Sequence, residues 1–492
     1  MKLCIKIIIG VIIFIVLCIL YNKCFIEKFI DVERLKLTSY TDNQKLDKLM
    51  KYCHNFFIKN KIPYWVTAGT LLGCVRHKRL IPWDDDLDVC IDVKYSKKLY
   101  SLKKKLNNDG YDIIIWGGGY KIFPLNGTHI RDDIKHKFPC LDVFLNSKLG
   151  DISRYHLKWA KDIWPNEYYY NKELYPLTLY KFGNYKVYGP YNPIMFLNRA
   201  YGYDWNKVGV TGYNHKHEKN RKKIKFDIGM GVDKKPYLWV YWDNLDGKKT
   251  PNHIDLCHKT IVKHCSKSFD IVFVNKDNIK KYLPELDKLK LNFNNVCIAH
   301  KVDFYRIFLL YKYGGLYLDS DIIVLRDPIE IIKKLDEYDF VGFGCTGDVC
   351  KYGYKEPSNW ILASRPYSIL MDNILLKLIT IFKNRKDDDK FDYFDVGKII
   401  IWEEIDKLVR NDNYKYYHYS NKIDGTRDVN GYWVHSDRII SSEHIQYDDE
   451  KNMMFYILYN SNLPDKIKNM SKSELLNSDM NLSRFYRRAL SK

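Results

Sequence analysis

The sequence predicts an α/β chain: one N-terminal apolar helix, then two folded blocks. Three observations carry this. Residues 7–20 (IIIGVIIFIVLCIL) hold no charge. Residues 64–93 read as a strand, a glycine turn, a short helix, an acidic turn and an apolar strand. Residues 236–325 read as strand, helix, strand, helix, Gly-Gly and strand. A chain of 492 residues has room for about two to four domains. Its 46% hydrophobic and 28% charged content excludes wholesale disorder. The formal charge of +20 suits anionic partners without choosing among nucleic acid, acidic lipid and phosphorylated small molecules.

The apolar run extends to nearly twenty residues if Leu3 to Ile5 and Tyr21 are added, broken only by Lys6. That length spans a bilayer as one helix. No small-x-small cleavage site follows in Tyr21-Asn22-Lys23-Cys24-Phe25, which argues against a signal peptide. Residues 1–25 are therefore expected to be a single-pass membrane anchor. Lys2 and Lys6 on one flank balance Lys23 and Lys28 on the other, so the side of the membrane stays open. None of the 12 cysteines forms a CxxC pair or a zinc spacing. Cys90, Cys140 and Cys297 sit in apolar strand-like runs, as ordinary filling. Residues 214–235 are basic, polar and poor in large apolar side chains. They read as a linker between a block over 40–213 and a block over 236–480.

In the first block, Tyr64 to Val66 is a short strand, Ala68-Gly69-Thr70 opens a short helix, and Pro82 ends it. Small residues at such a turn let backbone N–H groups approach a phosphate. Asp84, Asp85, Asp86 and Asp88 then lead into the strand Leu87 to Val93. Strand alternation points Asp86 and Asp88 the same way. Two carboxylates on one face repel unless a proton or a hard divalent cation lies between them. Asp142, alone in the apolar strand Cys140 to Phe144, is costly to bury unless paired or metal-bound. Gly117-Gly118-Gly119 reads as a hairpin turn, since no helix follows.

The run AGTLLGCVRHKRLIPWDDDLDV, the CLDVF strand and the segment 182–205 resemble the LicD/fukutin family. The resemblance implies a nucleotidyltransferase-like α+β fold over residues 48–210. It also implies metal-dependent transfer of a phosphorylated alcohol from a CDP-type donor to a glycan hydroxyl. By that resemblance Asp86, Asp88 and Asp142, with Asp84, bind Mn²⁺ or Mg²⁺. Gly69 and Thr70 border the donor phosphates, and Arg76 and His77 contact them.

In the second block, Pro236 to Trp242, Ile254 to His264 and Phe269 to Val274 make a β-α-β opening. Residues 299–328 then place Asp303, Arg306 and Leu310 on one side of a helix, stop it at Gly314-Gly315, and deliver Asp319-Ser320-Asp321 at a strand end. A DxD there can hold a divalent ion against a nucleotide diphosphate. The pattern resembles the DxD glycosyltransferases of GT-A fold, in particular the capsular-polysaccharide-synthesis and GT32-like groups. That resemblance implies that Asp319 and Asp321 bind Mn²⁺ or Mg²⁺ and a nucleotide-sugar donor. Asp303 contacts the nucleoside, Arg306 the donor or its neighbouring acids, and Asn359 a sugar. Trp433, His435 and His444 are candidates for an aromatic or histidine near the metal. Together these readings point to a bifunctional, membrane-anchored enzyme acting on a glycan acceptor, with no nucleic-acid partner. Two alternatives remain at this stage: a nucleic-acid nucleotidyltransferase, and a non-catalytic glycan-binding or assembly protein.

Overall fold

The computed structural model describes residues 35–228, 235–244, 249–345, 355–420 and 423–491. The first block opens with α1 (Tyr40–Lys59), whose Leu46, Leu49, Met50, Cys53 and Phe57 form a buried helical stripe. Next come β1 (Tyr64–Val66), α2 (Ala68–Leu72) and β2 (Leu87–Asp92). Then follow β3 (Tyr111–Trp116), β4 (Gly119–Pro124), β5 (Leu141–Leu149), β6 (Ile152–Tyr155) and β7 (Tyr168–Tyr170). They form one mixed sheet in the order β1-β2-β5-β4-β3, with β6 pairing β5 and β7. The triple glycine does turn a hairpin, with Trp116 opposite Gly119. β2 and β5 are parallel neighbours, and their register sets Asp88 beside Asp142. On the far side of β5, Lys121 of β4 stands opposite Asp142. The sheet thus carries Asp88, Asp142 and Lys121 in one row across three strands.

The block closes with β8 (Thr178–Phe182), β9 (Tyr185–Gly189) and α3 (Ile194–Tyr201). The stretch expected as a linker behaves differently. β10 (Val208–Asn214) and β11 (Lys219–Asp227) pair as an antiparallel hairpin that folds back over the acidic turn. Its charged sequence hides the pairing because ion pairs and hydrogen bonds, more than an apolar face, hold it.

The second block is built on β12 (Tyr237–Tyr241), α4 (Asn252–Cys265) and β13 (Asp270–Val274), with α5 (Ile298–Tyr313) leading into β14 (Gly315–Asp319) and β15 (Ile322–Val324). β16 (Phe340–Cys345), β17 (Glu356–Ser364), α6 (Ile369–Asn384), α7 (Lys398–Asp412), β18 (Tyr417–Ser420) and β19 (Phe455–Ile457) follow. The main sheet runs β13-β12-β14-β17-β16-β18, with β12 parallel to both β13 and β14. Gly315, at φ 98°, has no room for a side chain against the Tyr237 carbonyl. This lets β14 start directly beside β12 and carry Asp319 to the sheet edge. The block also reaches past residue 480. In α8 (Asn481–Leu490), Leu482, Phe485, Tyr486 and Ala489 are buried at helical spacing. Cys297 differs from its expectation too: it is exposed at the start of α5.

Among the described residues no helix is long and apolar enough to cross a membrane. The anchor expected over residues 1–25 lies outside the described residues. The structure thus does not support the expected transmembrane helix or single-pass localisation.

The two blocks meet along an apolar and ionic seam. Tyr367, 6% exposed, packs its ring edge-on to Trp83, Phe226 and Tyr311. Arg79 pairs with Asp339 at 2.6 Å, and Lys181 pairs with Asp336. Removing the Tyr367 ring leaves a cavity shared by both blocks. Tyr367→Ala is expected to lower unfolding stability by about 3 kcal/mol in urea titrations and to split one transition into two.

Candidate active sites

The first site forms where α2 meets the acidic turn. The Thr70 hydroxyl accepts the Asp88 backbone N–H at 2.7 Å, pinning the start of β2 to the glycine turn. Thr70 is thus a positioning residue. A Cβ on Gly69 would come within 2.7 Å of Asp84 Oδ2 and 3.4 Å of Asp88 Oδ2, so the glycine makes room for the carboxylates themselves. The side chains of Asp84 and Asp86 are in hydrogen-bonding contact. Burial, and then Asp86, push the Asp84 pKa well above the usual carboxylate range, and burial followed by Asp86 and Asp142 does the same to Asp88.

Asp142 is in a different state. Lys121 Nζ lies 2.6 and 2.9 Å from its two oxygens, both side chains almost fully buried. Of the two outcomes open to a lone buried acid, pairing is the one seen. The lysine within the apolar strand YKIF was the available signal.

Asp85 is bound to the β10–β11 hairpin. Its carboxylate accepts the N–H groups of His215 (3.0 Å) and Lys216 (3.1 Å) at the tip of the β10–β11 hairpin. His215 Nε2 lies 3.2 Å from Asp86 Oδ2, and Lys216 Nζ lies 2.6 Å from Asp42 of α1. The hairpin is therefore a cover for the acidic turn. Between them lies a cavity of about 250 Å³, bordered by Gly69, Arg76, Asp84, Tyr201, Tyr213 and His215. Arg76 borders it but commits Nη1 to the carbonyls of Trp205 and Val208. His77 does not border it. It faces the seam between the blocks, which corrects its expected place at the donor phosphates. Glu167 was missed: it accepts from Tyr155 Oη at 2.5 Å, and burial lifts its pKa to about 7.

The second site gathers Asp303, Arg306, Asp319, Asp321 and Asn359. Arg306 lies 3.1 Å from Asp319 and 3.2 Å from Asp303, donates to the Asn359 carbonyl, and sits 4.7 Å from the Tyr317 ring centre. Asn359 Nδ2 donates to Asp303 at 2.8 Å. The Asp303 side chain is only 5% exposed, and its Oδ1 holds Arg306 and Asn359. Asn359 is likewise turned onto Asp303. Asp319 remains 30% exposed, with its pKa pushed to about 7 by burial against the pull of Arg306. Asp321 accepts the Asn460 N–H at 2.8 Å, and His253 Nε2 meets Asn460 Oδ1 at 2.8 Å. Neither Asn460 nor His253 was singled out in the sequence; a histidine on the core face of a helix looks structural. Trp433 and His435 stack on each other, and His444 is exposed.

Among the described residues no group of three His, Cys, Asp or Glu side chains stands ready as a metal cage. The donor chemistry nevertheless fits a hard cation at each site. Asp84, Asp86 and Asp88 crowd buried negative charge with no lysine or arginine between them, and Asp319 and Asp321 share one arginine.

Two separate sheets thus each carry clustered carboxylates at a strand edge. Residues 209–472 match the family described as capsular polysaccharide synthesis protein, and residues 61–192 match the LicD/FKTN/FKRP nucleotidyltransferase domain. The chain belongs to the capsular polysaccharide synthesis protein family and carries a LicD-type domain in front of that region. It is 34% identical over 215 residues to an uncharacterized protein of Rickettsia typhi, covering 42% of this chain and 64% of that one. It is 37% identical over 170 residues to an uncharacterized protein of Rickettsia prowazekii, covering 35% of this chain and 58% of that one. The chain thus spans less than two thirds of the length of these relatives. A 41-residue stretch is 49% identical to the lipopolysaccharide cholinephosphotransferase LicD of Haemophilus influenzae, over 8% of this chain and 16% of that one. The solved glycosyltransferase GlyE of Streptococcus pneumoniae aligns at 14% identity over 50% of this chain and 63% of its own, with a TM-score of 0.29, which carries no argument. The family matches support a glycan-modifying transferase.

The buried Lys121–Asp142 pair makes a direct prediction. Lys121→Met strands a buried carboxylate and is expected to cost about 3 kcal/mol of stability. The double change Lys121→Met, Asp142→Leu recovers most of it. Urea unfolding of the three chains reads the difference.

Proposed function

We propose that this chain is a bifunctional glycan-building transferase. The second block transfers a sugar from a nucleotide-sugar, and the first transfers a phosphoryl-alcohol group from a CDP-type donor to a glycan. The observation that carries this reading is the pair of separate carboxylate sites, each next to an internal cation that partners only one part of it.

In the first block, Asp84, Asp86 and Asp88 are the residues to hold Mn²⁺ or Mg²⁺. In the second, Asp319 and Asp321 are. A bound divalent ion supplies neutralisation of the charge that grows on the leaving phosphate. The chain's own residues supply the rest. The β10–β11 hairpin covers the first cavity and keeps water from the donor. Lys121 holds Asp142 in place, so that the Asp88 row keeps its register without a free neighbouring acid. In the second block, Arg306 fixes Asp319 from below, and Asn460 fixes Asp321 through its backbone. Joining both reactions on one chain raises the local concentration of a shared glycan.

Paired variants test the division of labour. Asp321→Ala is expected to reduce sugar transfer about a hundredfold and leave phosphoryl-alcohol transfer unchanged. Asp88→Ala is expected to do the reverse. Both reactions are followed on the full chain with nucleotide-sugars and CDP-alcohols in Mn²⁺. Loss of both reactions from either single change, in a folded chain, contradicts the two-site reading.

A further inference from the structure

The seam between the blocks holds a cation that neither carboxylate site uses. Arg365 lies between β17 and α6, with its side chain 15% exposed. Its buried Nε has no hydrogen-bond partner among the described residues. Its ion pair with Asp339 is loose at 3.9 Å, because Arg79 already engages the same oxygen at 2.6 Å. Asp336, the other acid nearby, is paired with Lys181. Burial and the charge of Arg79 push the Arg365 pKa down to about 9. A guanidinium this enclosed normally has its fork filled by carboxylate, phosphate or carbonyl oxygens.

The surroundings favour an anion. Cavities of about 90 and 200 Å³ both border Arg365 and His77. Arg79, Tyr40, Ser368 and Asp339 also line the smaller one, and Asp336 the larger, each acid already paired, with Arg79 and Lys181 respectively. Tyr40 is the first residue of α1, and Ser368 is the N-cap of α6, so helices of 20 and 16 residues both begin here. Their N-terminal ends add partial positive charge. Lys78 and Lys235 border the larger cavity. The smaller cavity shares no lining residue with the one above Asp84.

We propose that this seam is an anion site for a single phosphoryl group, with Arg365 and Arg79 as its cations and the first turns of α1 and α6 as its backbone donors. A phosphoryl group supplies the hydrogen-bonded partner that Arg365 lacks, in the two-pronged geometry a guanidinium favours. Because residues of both blocks wall the site, occupancy clamps the seam and raises the stability of the whole chain.

The test is thermal unfolding of the full chain with inorganic phosphate titrated at constant ionic strength, chloride replacing it in the control. CMP and glucose 6-phosphate form two further arms. The wild type is expected to show a saturable rise in Tm with phosphate. Arg365→Met is expected to lose it, and Arg365→Lys to bind about tenfold more weakly. Stronger stabilisation by either ester identifies a phosphomonoester as the ligand, and stronger stabilisation by inorganic phosphate identifies the free ion. Arg365→Lys keeps the test open if Arg365→Met does not fold. A phosphate response equal to that of chloride, or one undiminished in the folded Arg365 variants, overturns the proposal.

Discussion

A carboxylate taken out of water needs a counter-charge, and both sites are organised by that requirement. In the first block, strand register brings Lys121 onto Asp142 inside the sheet. In the second, one turn of helix brings Arg306 onto Asp303 and across to Asp319. Lys121 compensates Asp142, and Arg306 is shared between Asp303 and Asp319, while Asp84 and Asp88 lie against other acids. Burial raises the pKa of the paired Asp142 and Asp303 as well as of Asp84, Asp88 and Asp319, so it is the crowding of Asp84, Asp86 and Asp88, with no lysine or arginine between them, that would favour a divalent ion there.

The acidic turn also organises the structure around it. Asp85 holds the tip of the hairpin, while Trp83 Nε1 donates to the Val210 carbonyl. The same Trp83 packs against Tyr367 of the second block. A single run of residues therefore carries the carboxylates, fastens their cover and contributes to the seam. The second family match begins at residue 209, at the start of this hairpin, so the hairpin belongs by sequence to one region and covers the site of the other.

Much of the fold was legible because period and punctuation agreed. Gly314-Gly315 after a 16-residue helix, and the apolar runs after DDDLD and DSD, marked strand edges carrying acids. The carboxylate rows followed from alternation, and Asp88 and Asp142 are indeed register partners. The remainder was illegible for identifiable reasons. Lys121 lies on a strand whose register depends on a long-range pairing, so its meeting with Asp142 could not be read locally. The hairpin at 208–227 is held by Asp42, Asp85 and His136 contacts, and its basic composition imitates a solvated linker. His77 accepts from Arg76 Nε at 2.9 Å, yet Arg76 borders the cavity above Asp84 and His77 the seam. Asp303 and Asn359 carried a donor-binding expectation but are consumed in supporting Arg306.

The most direct test of the counter-charge account is manganese binding by the full chain, counted by electron paramagnetic resonance titration. One ion per block is expected, with Asp88→Asn removing one and Asp321→Asn removing the other. A folded chain that binds no Mn²⁺, or one in which a single substitution removes both ions, contradicts the account.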